Sequence, residues 1–405
     1  MCRGFKRDHY IKYVLVTFNL LSMILKNVLL FASIASVIVS CDKKQSENLL
    51  TLTGDDTLAI TSSGVVEFNS VWYNEGDTIW GFKDYVYLVV GSAGSPLILG
   101  VPHDGVGEGS PVMPEATTTG RDIYSHPFAN LIATYFEQDT DKKPWMMVNT
   151  IGRRRVDPNT YPASVASTYS NADAIATYNS YHELLSLARA TVAAEQAGGN
   201  GALFLDVHGH AHGYTGSVTQ TYRSVVNGSN LSSNFIHQTD VGYALSNWAL
   251  EQSDSYVDGL KDSSSVYYIG NKYSSIPFSR VIRGDSSFGG LLVKEGVPAV
   301  PGTTIPVLNR STALFGGTTA NPGRRPYFNG GYCTRNYGTV QLGNPTGFND
   351  NVVSIQIETP GINVRNNGNT RERSSHQFKR AIVNYLNIWM GYSYPNSAYP
   401  YTKYW

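Results

Sequence analysis

An apolar run, Ala202-Leu203-Phe204-Leu205, leads into Asp206-Val207-His208, and Gly209 breaks it before His210. Side chains alternate across an extended strand, so Asp206, His208 and His210 share one side. The run reads as a buried strand whose carboxyl end presents one carboxylate and two imidazoles together. An imidazole there, with a carboxylate two residues back, suits a metal ligand and the group that orients it. A polar strand end carrying three solvated groups is the plainer alternative. The neighbouring elements have to decide between them.

Val86–Val90 and Pro96–Val101 are two further β-type runs, separated by the loop Gly91-Ser92-Ala93-Gly94-Ser95. Phe128, Leu131, Ile132, Tyr135 and Phe136 then follow at helical spacing. Trp145–Asn149 is another strand, and Tyr181-His182-Glu183 opens a helix that runs to about Gln196 and stops at Gly198-Gly199. Strand, helix, strand, helix, strand in that order predicts an α/β fold with a mixed, mostly parallel sheet and helices on both faces. In the second half, Phe278–Gly284 reads as a short strand, Gly289–Leu292 as a helix start and Pro298–Pro301 as a sheet edge. Val352–Pro360 is a strongly apolar strand ending on Glu358. A closing amphipathic helix over 378–389 puts Phe378, Ile382, Tyr385, Leu386 and Trp389 on one face. There is no internal repeat and no long linker between Val65 and Met390, so residues 65–392 are expected to form one domain, with 393–405 a tail.

The 405 residues are 41% hydrophobic and 15% charged, enough for a substantial core, and 31 basic side chains balance 31 acidic ones. That balance gives no support for a nucleic-acid partner. Cys2, Cys41 and Cys333 build neither a disulfide framework nor a Cys-x-x-Cys site. From Met23 the chain has a short basic start, an apolar stretch from Val28 to Val39, and Ser40-Cys41-Asp42. This is a secretory signal, and Ile38-Val39-Ser40-Cys41 resembles the lipobox at which bacterial lipoproteins are lipidated. A membrane anchor over 13–39 would bury Lys26 at cost. Residues 1–41 are therefore taken as signal and 42–64 as a tether, giving an exported protein, lipid-anchored if Cys41 is modified. Asn227 and Asn230 would be glycosylation acceptors in a eukaryotic secretory route.

Candidate chemistry collects at the strand ends. Pro102-His103-Asp104-Gly105 follows the 96–101 strand, at the edge where open α/β sheets bind ligands. Asp122, ahead of the first helix, either caps it or joins a metal set. Arg153-Arg154-Arg155 follows the 145–149 strand and suits a substrate carboxylate, which arginine grips in bidentate fashion. Gly330-Gly331-Tyr332-Cys333-Thr334-Arg335 is a glycine turn presenting a tyrosine and an arginine. Glu358 closes an apolar strand, where an unpaired charge is expensive. It is either a general base beside a metal or the partner of Arg365 or Arg335.

Taken in order, these segments resemble the N-formylglutamate amidohydrolase family, which is related in fold to the zinc carboxypeptidases and aspartoacylases. The segments are Pro102-His103-Asp104-Gly105, Arg153-x-Arg155-Val156-Asp157-Pro158-Asn159, Tyr181-His182, Leu205–His210, Gly330–Arg335 and Ile355–Glu358, and they span roughly Leu97 to Tyr385, most of the mature chain. The resemblance implies a hydrolase fold of the zinc-carboxypeptidase type and one Zn²⁺ at the carboxyl edge of the sheet. His103 and His208 would be ligands, with Asp122 as third ligand or Glu108 as the fallback. Asp206 would orient His208, and Glu358 would be the general base. Arg153, Arg155, Asn159, Arg283 and Arg335 would bind a carboxylate-bearing small molecule or short peptide, and Tyr332 or His210 would serve the oxyanion. Two positions depart from the pattern: Val106 stands where a carboxypeptidase-like Glu ligand would fall, and Thr160 replaces the family arginine after Asn159. The implied activity is hydrolysis of an amide bond, with a zinc carboxypeptidase or a catalytically inactive binding lipoprotein as rivals.

Overall fold

A computed structural model describes residues 65–210, 220–223, 230–233, 238–250, 252–302, 307–308, 329–339 and 350–396. The signal and tether readings, Cys41 included, lie outside the described residues, as do Asn227 and 397–405. Among the described residues no helix is long and apolar enough to cross a membrane.

Eight strands form the main sheet: β1 (Thr78–Trp80), β2 (Val86–Val89), β3 (Leu97–Val101), β4 (Trp145–Asn149), β5 (Ala202–His210), β6 (Thr239–Gly242), β7 (Ala299–Val300) and β8 (Val352–Pro360). Their spatial order is β7-β6-β8-β5-β3-β4-β2-β1. The central four, β8, β5, β3 and β4, run parallel. β6 and β2 flank them antiparallel. The fold is therefore α/β with a mixed, mostly parallel sheet, and the parallel centre sends four carboxyl ends to one edge. The strands of this centre are the near-continuous apolar runs expected when both faces are covered: β3, β4 and β8 are buried at every residue.

Helix α1 (Ser125–Thr140) and helix α7 (Gly368–Tyr385) cover one face, where Phe128, Ile132, Phe136, Phe378 and Ile382 meet Leu203, Leu205, Val207, Ile355 and Ile357. Helix α3 (Ala172–Glu195) covers the other with Tyr181, Leu184, Leu185, Ala188 and Val192 against Ala202 and Phe204. Between them in sequence lie α2 (Pro162–Tyr169), α4 (Phe278–Arg283), α5 (Phe288–Lys294) and α6 (Tyr332–Tyr337). Alternation along β5 puts Phe204, Asp206 and His208 on the α3 side.

Three element boundaries differ from the sequence reading. Helix α3 starts at Ala172, so Tyr181-His182 lies in its middle; Asn171 caps it by accepting from the Ala174 amide at 3.0 Å. Phe278–Arg283 is a helix and not a strand: its buried apolar positions are Phe278, Val281 and Ile282, at helical spacing, and Asp258 accepts the Ser279 amide at 2.7 Å. Helix α7 begins at Gly368 under an Asn367 cap, ten residues before its apolar stripe. The Pro298–Pro301 edge is the outermost strand, β7.

Candidate metal centre

His103 follows β3, and its backbone carbonyl accepts from the Asp122 amide at 3.1 Å, which brings the segment before α1 to the strand end. The free amides at the start of α1 are met by Asp104, which accepts from Tyr124 at 3.2 Å and His126 at 2.9 Å. Asp122 is therefore released from capping and its carboxylate turns inward. Its Oδ2 faces His103 Nδ1 and His208 Nδ1, each at 3.2 Å, and accepts from the Gly209 amide at 3.2 Å. All three side chains are buried. One donor atom from each lies within 4.8 Å of the others, so His103, Asp122 and His208 could hold a metal ion.

Each outer ring nitrogen has a carboxylate close by, but only that of His103 is held by one. His103 Nε2 lies 2.6 Å from Asp157 Oδ1, and Asp157 is gripped in turn by Arg153 Nε at 2.9 Å. His208 Nε2 lies 3.0 Å from Asp206 Oδ1. That pair is outside hydrogen-bond geometry, and the buried Asp206 Oδ1 has no hydrogen bond. The Asn159 amide nitrogen instead approaches Nε2 at 3.1 Å, its orientation fixed by Asn159 Oδ1 accepting from the Cys333 amide at 2.8 Å. Asn159 reaches this position because Gly331 lacks a Cβ, which would fall on the Asn159 amide.

This donor set fits a cation. Asp122 and Asp157 share the Arg153 guanidinium, at 3.5 and 2.9 Å, and the Asp206 and Glu358 carboxylates lie 3.0 and 4.0 Å from the His208 ring nitrogens. Buried negative charge of that kind needs a counter-charge. Burial opposes the ionised form of Asp122, yet hydrogen bonds and charge from His103 and His208 hold its carboxyl well below the usual carboxylate range. Burial likewise works against charging His208, but Asp206, Asp122 and Glu358 keep its pKa well above that of an ordinary imidazole. A proton on Nε2 would satisfy Asp206 Oδ1 and leave Nδ1 with a lone pair aimed at the cluster, the arrangement found where a carboxylate backs a metal-bound histidine.

Glu358 lies near the carboxyl end of β8 beside His208, its Oε1 4.0 Å from His208 Nδ1 and accepting from Gln356 Nε2 at 2.7 Å. Burial pushes its pKa up to about 7; His208 and Arg153 pull it down, and the Asp122 charge adds to the rise. The alternative partner Arg365 spends its guanidinium on backbone carbonyls.

Several proposed binding residues lie elsewhere. Arg155 pairs with Glu108 at 2.9 Å, so neither the arginine nor the fallback ligand turns to the cluster. Arg283 is clamped by Asp254 and the carbonyls of Leu250 and Gln252, which close the end of α4. His210 is buried with Nε2 on the Gln238 carbonyl at 2.9 Å, away from the oxyanion role. Tyr332 packs inward against Tyr161 and His182, and burial pushes its hydroxyl up to about 12. Arg335 sits half-buried on α6 near Asn329. Of Arg153, Arg155 and Arg283, only Arg153 reaches the cluster. The roles of Asp157 and Gln356 emerge only in the structure, although Gln356 and Glu358 stand two apart on one strand, as Asp206 and His208 do.

No protein-family model matches the chain, and no curated protein matches it. Among solved structures the chain is similar to an N-formylglutamate amidohydrolase from Ralstonia eutropha, with 15% sequence identity and a TM-score of 0.35, over 72% of this chain and 94% of that one. The likeness concerns the course of the chain alone.

Proposed function

We propose that the chain is a zinc-dependent hydrolase of amide bonds, exported and lipid-anchored through Cys41. The observation that carries this reading is the convergence of two carboxylate-backed histidines on Asp122 with Glu358 4.0 Å from one of them. His103, Asp122 and His208 would hold the ion. When bound, a divalent ion of this type polarises a carbonyl and makes water acidic near neutral pH. Asp157 holds the His103 imidazole through Nε2, and Asp206 would accept from a protonated His208 Nε2, leaving Nδ1 for the ion. Glu358 takes a proton from water at Oε1 or its partner oxygen and returns it to the leaving nitrogen. Gln356 fixes the Glu358 side chain from the same face of β8. Arg153, half-buried between Asp122 and Asp157, is the cation available to a carboxylate-bearing acyl or amino-acid portion.

Metal analysis of the purified full chain should give one zinc per chain, lost in Asp122→Asn. Glu358→Gln should keep the ion and lose at least about 100-fold in turnover on a panel of N-formyl, N-acyl and C-terminal peptide substrates. Full activity in Glu358→Gln, or no stoichiometric ion after supplementation, would overturn the proposal. Fractionation of the same cells tests the anchor, since Cys41→Ser should move the protein out of the membrane fraction; unchanged partitioning removes the lipid. The second reading is a binding protein on the same scaffold. It is favoured by the engagement of Arg155 and Arg283 away from the cluster, and ion binding without turnover of any panel member would establish it.

A further inference from the structure

Arg365 follows β8 through the one-turn segment Gly361–Arg365, in which Asn363 takes a left-handed conformation (φ 67°). Its side chain is 2% exposed. A buried guanidinium usually meets a carboxylate, but this one donates to three backbone carbonyls. Nε and Nη2 reach the Thr359 carbonyl at 3.2 and 3.0 Å, Nη2 reaches that of His210 at 3.4 Å, and Nη1 donates to that of Ile123.

Each acceptor adjoins a member of the cluster. Thr359 follows Glu358, Ile123 follows Asp122, and His210 lies two residues beyond His208 on the same strand end. The knot is closed by two further bonds: the Thr359 hydroxyl donates to the His208 carbonyl at 2.8 Å, and the Gly209 amide donates to Asp122 Oδ2 at 3.2 Å. Room for the guanidinium comes from Gly209, where a Cβ would fall on its carbon and both terminal nitrogens. At longer range the Asp122, Glu358 and Asp104 carboxylates act on the same cation. One rigid fork thus ties the Ile123 segment to the ends of β5 and β8, which the sheet already pairs from Glu358–His208 to Pro360–His210.

Resting on the metal-hydrolase reading, we propose that Arg365 is a positioning residue: it sets the backbone beside Asp122, His208 and Glu358 in one frame, and Gly209 is glycine to admit it. A lysine keeps the charge but not the fork: its three N–H donors sit on one atom, whereas the carbonyls here are met by three separate nitrogens of the guanidinium. Supporting groups outside a ligand set typically move metal affinity by about 10–100-fold.

The test uses the full chain as wild type, Arg365→Lys, Arg365→Ala, Gly209→Ala and the Arg365→Ala/Gly209→Ala pair. Zinc affinity is measured by competition with a chromophoric chelator, and hydrogen exchange is followed in the metal-free proteins. Arg365→Lys and Gly209→Ala should each weaken zinc about 10–100-fold. Each should also speed exchange in the segments around 121–126, 207–210 and 358–362 together, with β2 and α3 unchanged. In the Arg365→Ala background Gly209→Ala should add less than about 2-fold, because the atoms it strikes are gone. Additive losses in the pair, wild-type zinc affinity in Arg365→Lys, or loosening spread over the whole sheet would overturn the proposal. If the wild type binds no ion, the hydrolase reading fails by itself. The exchange pattern then decides on Arg365: joint loosening of the three segments supports the positioning role, and its absence ends it.

Discussion

His208 Nε2 lies between two groups with opposite needs: the Asn159 amide, 3.1 Å away, offers a proton, and Asp206 Oδ1, 3.0 Å away, lacks one. A buried carboxylate oxygen without a partner is expensive. Protonating Nε2 satisfies Asp206 and turns the Nδ1 lone pair inward, so ion binding and satisfaction of Asp206 are expected to go together. Asp206→Asn should therefore weaken zinc by about 10–100-fold, with the fold retained because the amide keeps the size of the carboxylate. Competition against a chelator of known affinity measures this, and an unchanged zinc affinity would show that Asp206 does not orient the ring. At this scale the sequence was informative where partners are close along the chain. Asp206 and His208 are two apart on a strand, and their association could be read directly. Asp157 meets His103 across 54 residues, and nothing local to either residue announces the other. From the sequence Arg365 reads only as a partner for Glu358, because its backbone acceptors belong to three separate segments and carry no sequence signature.

Helix α3 is tied to the strand-end loops through His182, whose Nε2 donates to the Pro158 carbonyl at 2.9 Å while Nδ1 faces the Tyr337 hydroxyl at 2.8 Å. Burial lowers its pKa to about 4, with the Pro158 carbonyl opposing. An unfolded histidine titrates near 6.5. Between those values the unfolded chain binds a proton that the folded chain refuses, so stability is full above about pH 6.5 and falls as pH drops toward 4. Chemical denaturation of wild type and His182→Asn at pH 7.5 and pH 5 should show the gap between them narrowing by about 2 kcal/mol at the lower pH. A gap that does not change with pH would mean that His182 does not titrate as a buried, neutral group. Element boundaries were legible in the sequence where burial writes them. The strands 145–149 and 352–360 are apolar runs and match the structure. Helix starts were not legible, since α3 opens on small residues and α7 on a polar turn, ordered by Asn171 and Asn367 ahead of the large apolar positions. Phe278–Arg283 is too short for period to separate a strand from a helix, and the carboxylate that meets its first-turn Ser279 amide, Asp258, lies 21 residues away.

The parallel centre of the sheet makes the candidate site a property of the whole fold. β3 delivers His103, β5 delivers His208, β8 delivers Glu358, and the entry to α1 delivers Asp122, so the three candidate ligands come from segments that separate on unfolding. An ion bound by all three binds the native state and only weakly the unfolded chain. Ligand present at 100 times its dissociation constant then adds about 2.7 kcal/mol to stability. Thermal unfolding of the full chain should accordingly shift upward by several degrees on adding zinc and return on chelation. Asp122→Asn should start near the metal-free wild type and respond to neither treatment. The comparison also locates the ion. If wild type binds zinc stoichiometrically but its unfolding temperature is indifferent to chelation, the ion sits on a surface group that the unfolded chain retains. If Asp122→Asn responds as wild type does, the ion is held within the fold but not by the strand-end cluster.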